Sequence, residues 1–301
     1  MARRCSASYL VVKDTPGHRR LLEHSQARHG SCGDDLVVFG DDAIECGQML
    51  DLPVFPLMRD GRLPSGDPVA RQILALMVEA VLPATGHAGA VCCLTVPGGY
   101  GLDGDHQSLD VRYLQQLATL RGYTPHLISS GHAIVLAELS NASFSGLGIS
   151  LGAVNCEVSV VHCGRELARC TIPSRWAELL EAGSQDTDLI FNVSQESGES
   201  KRAWERNSLR VLTAILTEAR ESLVSEGSIR LIQQPTSIAC TGGITQADGF
   251  AGVFQQAWNQ AGWPIRIAQT RIASNSRFAV ARGGLIKAIL EGRPMSNYRV
   301  A

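Results

Sequence analysis

The chain has 301 residues, 45% of them hydrophobic, and a formal net charge of −2, which is typical of a globular protein with a sizeable core. No run of lysine or arginine exceeds two residues, so the sequence disfavours binding to nucleic acid. The nine cysteines form no C-x-x-C pair, so we expect free thiols and no metal site. No apolar run approaches the length of a membrane span, and the N-terminus lacks the apolar stretch of a signal peptide. We therefore predict a cytoplasmic protein.

Short apolar runs predict strands along the whole chain. In order, they lie at Tyr9–Val12, Leu36–Phe39, Ala90–Val96, His126–Ile128, Leu147–Leu151, Glu157–His162, Leu167–Ile172, Ser237–Cys240 and Ile265–Ile267. Helical patterns lie between them, at 67–82, 106–122, 203–224, 249–262 and 278–292. The clearest helix start is Asp67 followed by Pro68, a capping carboxylate before a first-turn proline. This alternation predicts an α/β protein with mainly parallel sheets.

Two segments share one pattern of a small polar start, an apolar strand, a glycine turn with basic residues and a second strand. They are residues 6–25 (SASYLVVKDTPGHRRLLEHS) and residues 155–172 (NCEVSVVHCGRELARCTI). The repeat predicts two related lobes, each with one hairpin of this kind.

Two short motifs point to enzymes of other classes. Gly148–Gly152 fits G-x-S-x-G with Ser150 as nucleophile, but that elbow needs a helix directly after the serine, and the residues that follow alternate like a strand. Gly99–Gly104 fits G-x-G-x-x-G, but the next predicted strand does not end in the acidic residue that would hold a ribose. We therefore interpret the first motif as a hairpin and the second as a loop.

A third glycine turn carries a stronger signal. Thr241-Gly242-Gly243 follows a buried strand and precedes a helix that opens at Gly249. Two glycines at such a turn let a flat ring or a phosphate approach the backbone, close to the N–H groups of a helix.

At these residues the chain resembles the actin-like ATPase superfamily, and within it the bacterial cell-shape actins and the DnaK-type chaperones more than the sugar kinases. The resemblance runs through VVFGDDAIECGQML…PLMRDGRLP (37–64), AVCCLTVPGGY (90–100), HQSLDVRYLQQLATLRGY (106–123), TGGITQADGF (241–250) and FAVARGGLIKAILEG (278–292). These segments occur in family order over most of the chain. The adenosine turn at 241–250 and the last helix are the specific ones.

The resemblance implies two ribonuclease-H-like lobes around a central cleft that holds a nucleotide and a divalent metal. The first lobe would span residues 1–140 and be completed by a C-terminal helix at 276–301. The second lobe would span 141–275, with a small subdomain reduced to about 176–227. The implied nucleotide-binding residues are Gly242, Gly243, Ile244, Gly152 and Asn155. The implied catalytic candidate, which would orient the attacking water, is Asp110.

The chain departs from the family where phosphate is bound. The motif Asp-x-Gly-Gly-Gly-Thr aligns with residues 150–155, so Ser150 replaces the acid that organises the metal, and Ala153 and Val154 replace two glycines. Residues 2–6 offer neither acid nor glycine for the first phosphate motif, and Ser130-Gly131 stands at the Glu-Pro of the helix between the lobes. The Lys/Glu pair that holds the ribose is also not recognisable.

From these departures we predict a pseudo-ATPase, a relative that does not hydrolyse ATP and acts through protein contacts as a scaffold, filament or regulator. Bound ATP or ADP would be held weakly, and magnesium is disfavoured. We expect protein partners or self-association, and neither nucleic acid nor a membrane span. Two alternatives stay open: an active ATPase of the same fold, cytoskeletal or chaperone-like, and an unrelated enzyme.

Overall fold

The computed structural model describes residues 3–58, 62–63, 67–96, 109–174, 176, 198–232 and 234–292. The chain divides into two compact units, Met1–Ala90 with Tyr100–Pro125 (unit 1) and Val91–Gly99 with His126–Ala301 (unit 2). The division into lobes 1–140 and 141–275 stays a prediction. Of the predicted small subdomain at 176–227, residues 177–197 are outside the described residues.

The strands are β1 (Ser8–Lys13), β2 (His29–Cys32), β3 (Asp35–Phe39), β4 (Phe55–Pro56), β5 (Val91–Leu94), β6 (Thr124–Leu127), β7 (Gly146–Leu151), β8 (Asn155–His162), β9 (Arg165–Pro173), β10 (Thr236–Thr241) and β11 (Ile267–Ile272). The helices are α1 (Pro16–His24), α2 (Asp41–Leu50), α3 (Pro68–Val81), α4 (Leu109–Leu120), α5 (Ser130–Glu138), α6 (Gly198–Ser225), α7 (Phe250–Ala261) and α8 (Ser276–Glu291). None of these described helices is long and apolar enough to cross a membrane. The α/β class that the sequence predicts is confirmed.

Unit 1 contains a four-stranded sheet in the order β2-β3-β1-β4. Alternate residues of β3 point to its two faces, so Leu36 and Val38 pack with α1 and α2 while Val37 and Phe39 pack with α3. The pairs in this sheet are antiparallel, and the prediction of mainly parallel sheets is wrong here. The reason is local, because a two-residue turn with Gly33 at φ +59° joins β2 to β3 as a hairpin.

The start of α3 is confirmed by its cap. The Asp67 carboxylate accepts hydrogen bonds from the N–H groups of Val69 (2.9 Å) and Ala70 (3.1 Å). These two donors have no partner inside the helix, and the side chain supplies one.

The predicted repeat of two hairpins is wrong in its first copy. After β1 the chain enters α1, where Thr15 is the N-cap and its Oγ1 accepts the His18 N–H at 3.2 Å. Pro16 at the first helical position adds to that start signal. The second copy does form a hairpin, with β8 and β9 joined at Cys163 and Gly164, both at positive φ.

Unit 2 is built on a five-stranded sheet in the order β11-β10-β7-β8-β9. Strand β10 runs parallel to both β7 and β11, whereas β8 runs antiparallel to both of its neighbours, β7 and β9. One face is covered by α6 and α7, and the core there is apolar. Its members include Ile149, Val158, Leu212, Phe254 and Trp258.

The other face of this sheet lies against α5 and α8, and glycines at the contacts allow the backbones to approach closely. A side chain at Gly148 would overlap the carbonyl oxygen of Gly131 on α5, and one at Gly283 on α8 would overlap the carbonyl oxygen of Ala133. No helical pattern in the sequence predicts α5, although the family resemblance implies a helix at Ser130-Gly131. Its residues are buried on nearly all sides, so it shows no amphipathic period.

Candidate nucleotide-binding site

Three polar residues lie side by side across unit 2, on the sheet face that is covered by α5. Thr241 on β10 pairs with Ser150 on β7, and Ser150 pairs with Glu157 on β8. Residues paired in register project on the same face of a sheet, and neighbouring strands are about 4.8 Å apart. Thr241 and Glu157 therefore lie about 10 Å apart at the end of the strands that leads into the Gly242 turn.

The Gly242 turn is shaped by the fold itself. Gly242 has φ +134°, and a side chain there would overlap the backbone of Leu151 on β7. The Thr245 hydroxyl donates to the Gly242 carbonyl at 2.8 Å and holds the turn. The Ile244 side chain is 4% exposed and belongs to the apolar core. A ligand at this turn would therefore meet the backbone from Gly242 through Gly243 and not the side chain of Ile244.

The turn between β7 and β8 is closed by a hydrogen bond between its own backbone groups. The Gly152 N–H donates to the Asn155 carbonyl at 3.1 Å, and a side chain at Gly152 would crowd that same oxygen. Ala153 and Val154 are exposed at the tip, and the Val154 carbonyl accepts the Ser174 N–H at 2.6 Å. The chain passes from β7 into β8 with no helix, so Ser150 does not lie on a nucleophile elbow, as the sequence indicates.

One acidic residue of this region, Glu157, is not among the site residues that the sequence predicts. It is 7% exposed, and its Oε2 accepts the Ser130 N–H at 2.7 Å, at the N-terminus of α5. Burial raises the pKa of this carboxyl, and the Ser130 N–H and the Arg169 guanidinium limit the rise. The residue was missed because a single charge in an alternating strand is normally assigned to the solvent side.

A second acid, the partly buried Glu166, lies beside it under α5. Its Oε1 accepts hydrogen bonds from the hydroxyls of Ser159 (2.7 Å) and Ser129, and these two hydroxyl oxygens are 3.0 Å apart. The Arg169 guanidinium lies 4.0 Å from its other oxygen. His132 on α5 completes this polar layer; its Nε2 lies 2.9 Å from the Gly164 carbonyl, and burial lowers its pKa.

One further carboxylate lies near the helix that follows the Gly242 turn. Glu205 on α6 has its Oε1 3.7 Å from the position that a side chain at Gly249 would take. Sequence reasoning missed it because Glu205 and Gly249 are 44 residues apart in the chain, and the packing of α6 on α7 brings them together.

The predicted site residues do not all fall in one unit. Gly242, Gly243, Ile244, Gly152 and Asn155 belong to unit 2. Asp110 belongs to unit 1, in the first turn of α4, where its Oδ2 accepts a long hydrogen bond (3.4 Å) from the Leu63 N–H. The G-x-G-x-x-G segment at 99–104 lies outside the described residues.

Comparison with solved structures identifies the fold. MreB 5 of Spiroplasma citri bound to AMPPNP is 16% identical, with 94% of this chain and 89% of that chain covered and a TM-score of 0.60. The MamK double helical filament is 15% identical, with coverages of 95% and 91% and a TM-score of 0.56. The ethanolamine utilization protein EutJ from Carboxydothermus hydrogenoformans is 14% identical, with coverages of 78% and 79% and a TM-score of 0.50.

At these identities the likeness shows the fold, which is the actin-like fold that the sequence predicts. A search of curated proteins finds no match to this sequence. The family model described as Volactin matches residues 1–288, which is nearly the whole chain. The chain therefore has an actin-like fold and belongs to the Volactin family.

Proposed function

We propose that this protein is an actin-like scaffold or filament protein that acts through protein contacts and does not hydrolyse ATP. The observation that carries the proposal is the pair Ser150 and Glu157. Ser150 has no charge with which to organise a metal, and the neighbouring Glu157 carboxylate is already bound to the N-terminus of α5.

Phosphoryl transfer to water depends on a positioned metal and on groups that stabilise charge in the transition state. Removing such support typically costs several kcal/mol, or about a thousandfold or more in rate. We expect phosphate release by the purified protein to equal that of a no-enzyme control. Ser150→Asp alone should not restore turnover, because Ala153 and Val154 still occupy the positions of two glycines.

The alternative of an active ATPase is kept because a protein of this fold, MreB 5, has been solved bound to AMPPNP. Magnesium-dependent turnover by the wild type, lost in Asp110→Ala, would favour that alternative and contradict ours. Asp67→Ala is the matched control, since it removes a carboxylate of unit 1 that only caps α3.

Nucleotide binding, in our proposal, uses adenine and ribose contacts and takes little energy from the phosphates. The proposed contacts are the backbone at Gly242, Gly243 and Ile244, together with Gly152 and Asn155 of the hairpin turn. Glu205 can accept hydrogen bonds from ribose hydroxyls. Adenosine, ADP and ATP should then bind with similar, weak affinity, with or without magnesium. A calorimetric titration in which ATP binds far more tightly than adenosine, and only with magnesium, would refute this.

Self-association is the third part of the proposal, and the MamK double helical filament supports it as a protein of the same fold. Head-to-tail contacts between identical chains use two different surfaces, so they generate open filaments and not closed dimers. We propose that assembly occurs without nucleotide, in the cytoplasm, through the lobes 1–140 with 276–301 and 141–275. Light scattering with increasing concentration should show growth; a strict monomer would remove the filament role and leave partner binding.

A further inference from the structure

The buried Glu157 carboxylate occupies a position that is normally available to a bound anion. The first N–H groups of a helix have no partner inside the helix and carry partial positive charge, which makes them a binding site for phosphate and carboxylate groups. At the N-terminus of α5, a side chain of the protein itself, Glu157, occupies this position. The Ser130 N–H donates to Glu157 Oε2 at 2.7 Å, and the Gly131 N–H also faces the carboxylate.

The position of Glu157 on the sheet aims it at the proposed ligand. It is the direct cross-strand neighbour of Ser150, and Ser150 is paired with Thr241 at the end of β10, next to the Gly242 turn. A ligand whose nucleoside end sits at Gly242 would extend its phosphates about 10 Å along this row, toward Glu157. Ser150 and Asn155 are only half-buried, so the end of the hairpin reaches the surface there.

The positive charge of Arg169 does not fully neutralise the negative charge of the Glu157 carboxylate, because Arg169 also interacts with a second acid. The Arg169 guanidinium lowers the pKa of Glu157, and it also lies 4.0 Å from the Glu166 carboxylate, the second acid of the layer. Burial lowers the pKa of His132, so burial disfavours a positive charge on this ring. Two acids therefore share one guanidinium under α5, and the layer disfavours any further negative charge.

We propose that Glu157 is the residue that sets the ligand specificity of this site, by filling the α5 N-terminus with an internal anion that excludes phosphate. This rests on the proposed function, in which the site takes a nucleoside with little contribution from its phosphates. Glu157 thus acts as a built-in competitor of the phosphate chain, and removing its charge opens the helix terminus to an external anion.

The test uses sodium tripolyphosphate, titrated into the full-length protein by isothermal calorimetry at pH 7.5 and constant ionic strength. Wild type should show no saturable binding. Glu157→Ala should gain binding, and Glu157→Gln should gain it more weakly because its amide still fills the site. The expected gain is about tenfold or more in affinity, since it removes a unit charge within several ångströms of the anion.

Two variants separate this effect from a general loss of charge. Glu166→Gln removes one negative charge from the same layer but leaves the α5 N–H groups capped, so it should not bind tripolyphosphate. Glu157→Asp keeps a carboxylate and should also stay without binding. Far-ultraviolet circular dichroism confirms folding, and Glu157→Gln carries the test if Glu157→Ala does not fold.

Saturable binding by wild type would overturn the proposal, and so would absence of binding in every folded variant that lacks the Glu157 charge. Tripolyphosphate contains no nucleoside, and no turnover is measured. Failure here is therefore distinguishable from failure of the proposed function, which is read from adenosine binding and phosphate release.

Discussion

The two faces of the five-stranded sheet of unit 2 follow different rules. The face under α6 and α7 is built from aliphatic side chains such as Leu147, Ile149 and Val158, each with no exposed surface. The face under α5 carries Gly148 and Ser150, which alternate with Leu147 and Ile149 along β7. The hydrogen-bonded acids Glu157 and Glu166 lie on this face as well. One face specifies the fold by burial, and the other sets the chemistry of the site. The comparison predicts that substitutions on neighbouring residues of β7 have different effects.

The largest effect is expected at Gly148, where the α5 backbone lies against the sheet. In Gly148→Ala the added methyl group would overlap the Gly131 carbonyl oxygen, and a backbone atom cannot rotate away as a side chain can. We expect a loss of more than about 3 kcal/mol in the free energy of unfolding, or no folded protein. Urea unfolding measures this.

Gly252→Ala is the matched control, since Gly252 lies on α7 with open space around it. It should stabilise the protein by about 0.5–1 kcal/mol, the usual gain from replacing a helical glycine. Equal stability losses in both variants would show that close approach under α5 is not the cause.

The second effect concerns the apolar face. Ile149→Ala removes a fully buried side chain from the core under α6 and α7, and we expect a loss of about 2–5 kcal/mol. Ser150→Ala, one residue along, should change stability by less than about 0.5 kcal/mol. Urea titrations with unchanged m-values measure both. Similar stability losses in the two variants would contradict the inference that the apolar face stabilises the fold and the polar face does not.

The third effect is a pH dependence from Glu157. Its pKa is raised in the fold, so the folded protein binds this proton more tightly than the unfolded chain. Stability relative to Glu157→Gln must then fall as the pH rises from the ordinary value of 4.5 through the folded pKa, and level off above it. Thermal unfolding of both proteins from pH 4 to pH 8 measures the difference. A wild type that gains stability over Glu157→Gln with rising pH would show that the helix N–H groups outweigh burial.

Most of the framework could be predicted from the sequence, because it rests on local signals. The apolar runs predict β7, β8 and β10 closely, and Asp67 with Pro68 predicts the start of α3. The first predicted hairpin is wrong, although the sequence contains the signals of the helix that replaces its second strand. Thr15 and Pro16 mark a helix start, whereas the likeness to residues 155–172 predicts a strand at the same place.

The site could be predicted only in part, because its decisive contact is not local. The loss of the acid at Ser150 is visible in the sequence. That Glu157 lies next to it, and that α5 presents its N-terminus there, follows only from the pairing of β7 with β8 and the close packing of Gly131 on Gly148. Helix α5 has no amphipathic period, so only the family resemblance at Ser130-Gly131 indicates it, and nothing in the sequence identifies Glu157 as the partner of its N-terminus.

The smallest effect is expected from Ser150→Asp, which introduces an acid at the position where the family has one. Ser150→Asp would place a second carboxylate directly opposite Glu157 across β7 and β8, and like charges in that relation destabilise a sheet by about 0.2–1 kcal/mol. The loss should shrink as the pH falls, because Glu157, whose pKa is raised, takes up its proton first. In the double variant Ser150→Asp/Glu157→Gln it should disappear. A double-mutant cycle from urea unfolding at pH 5 and pH 8 measures the coupling. A coupling of zero at both pH values would mean that the two side chains do not face each other, and the row from Thr241 to Glu157 would then not exist as described.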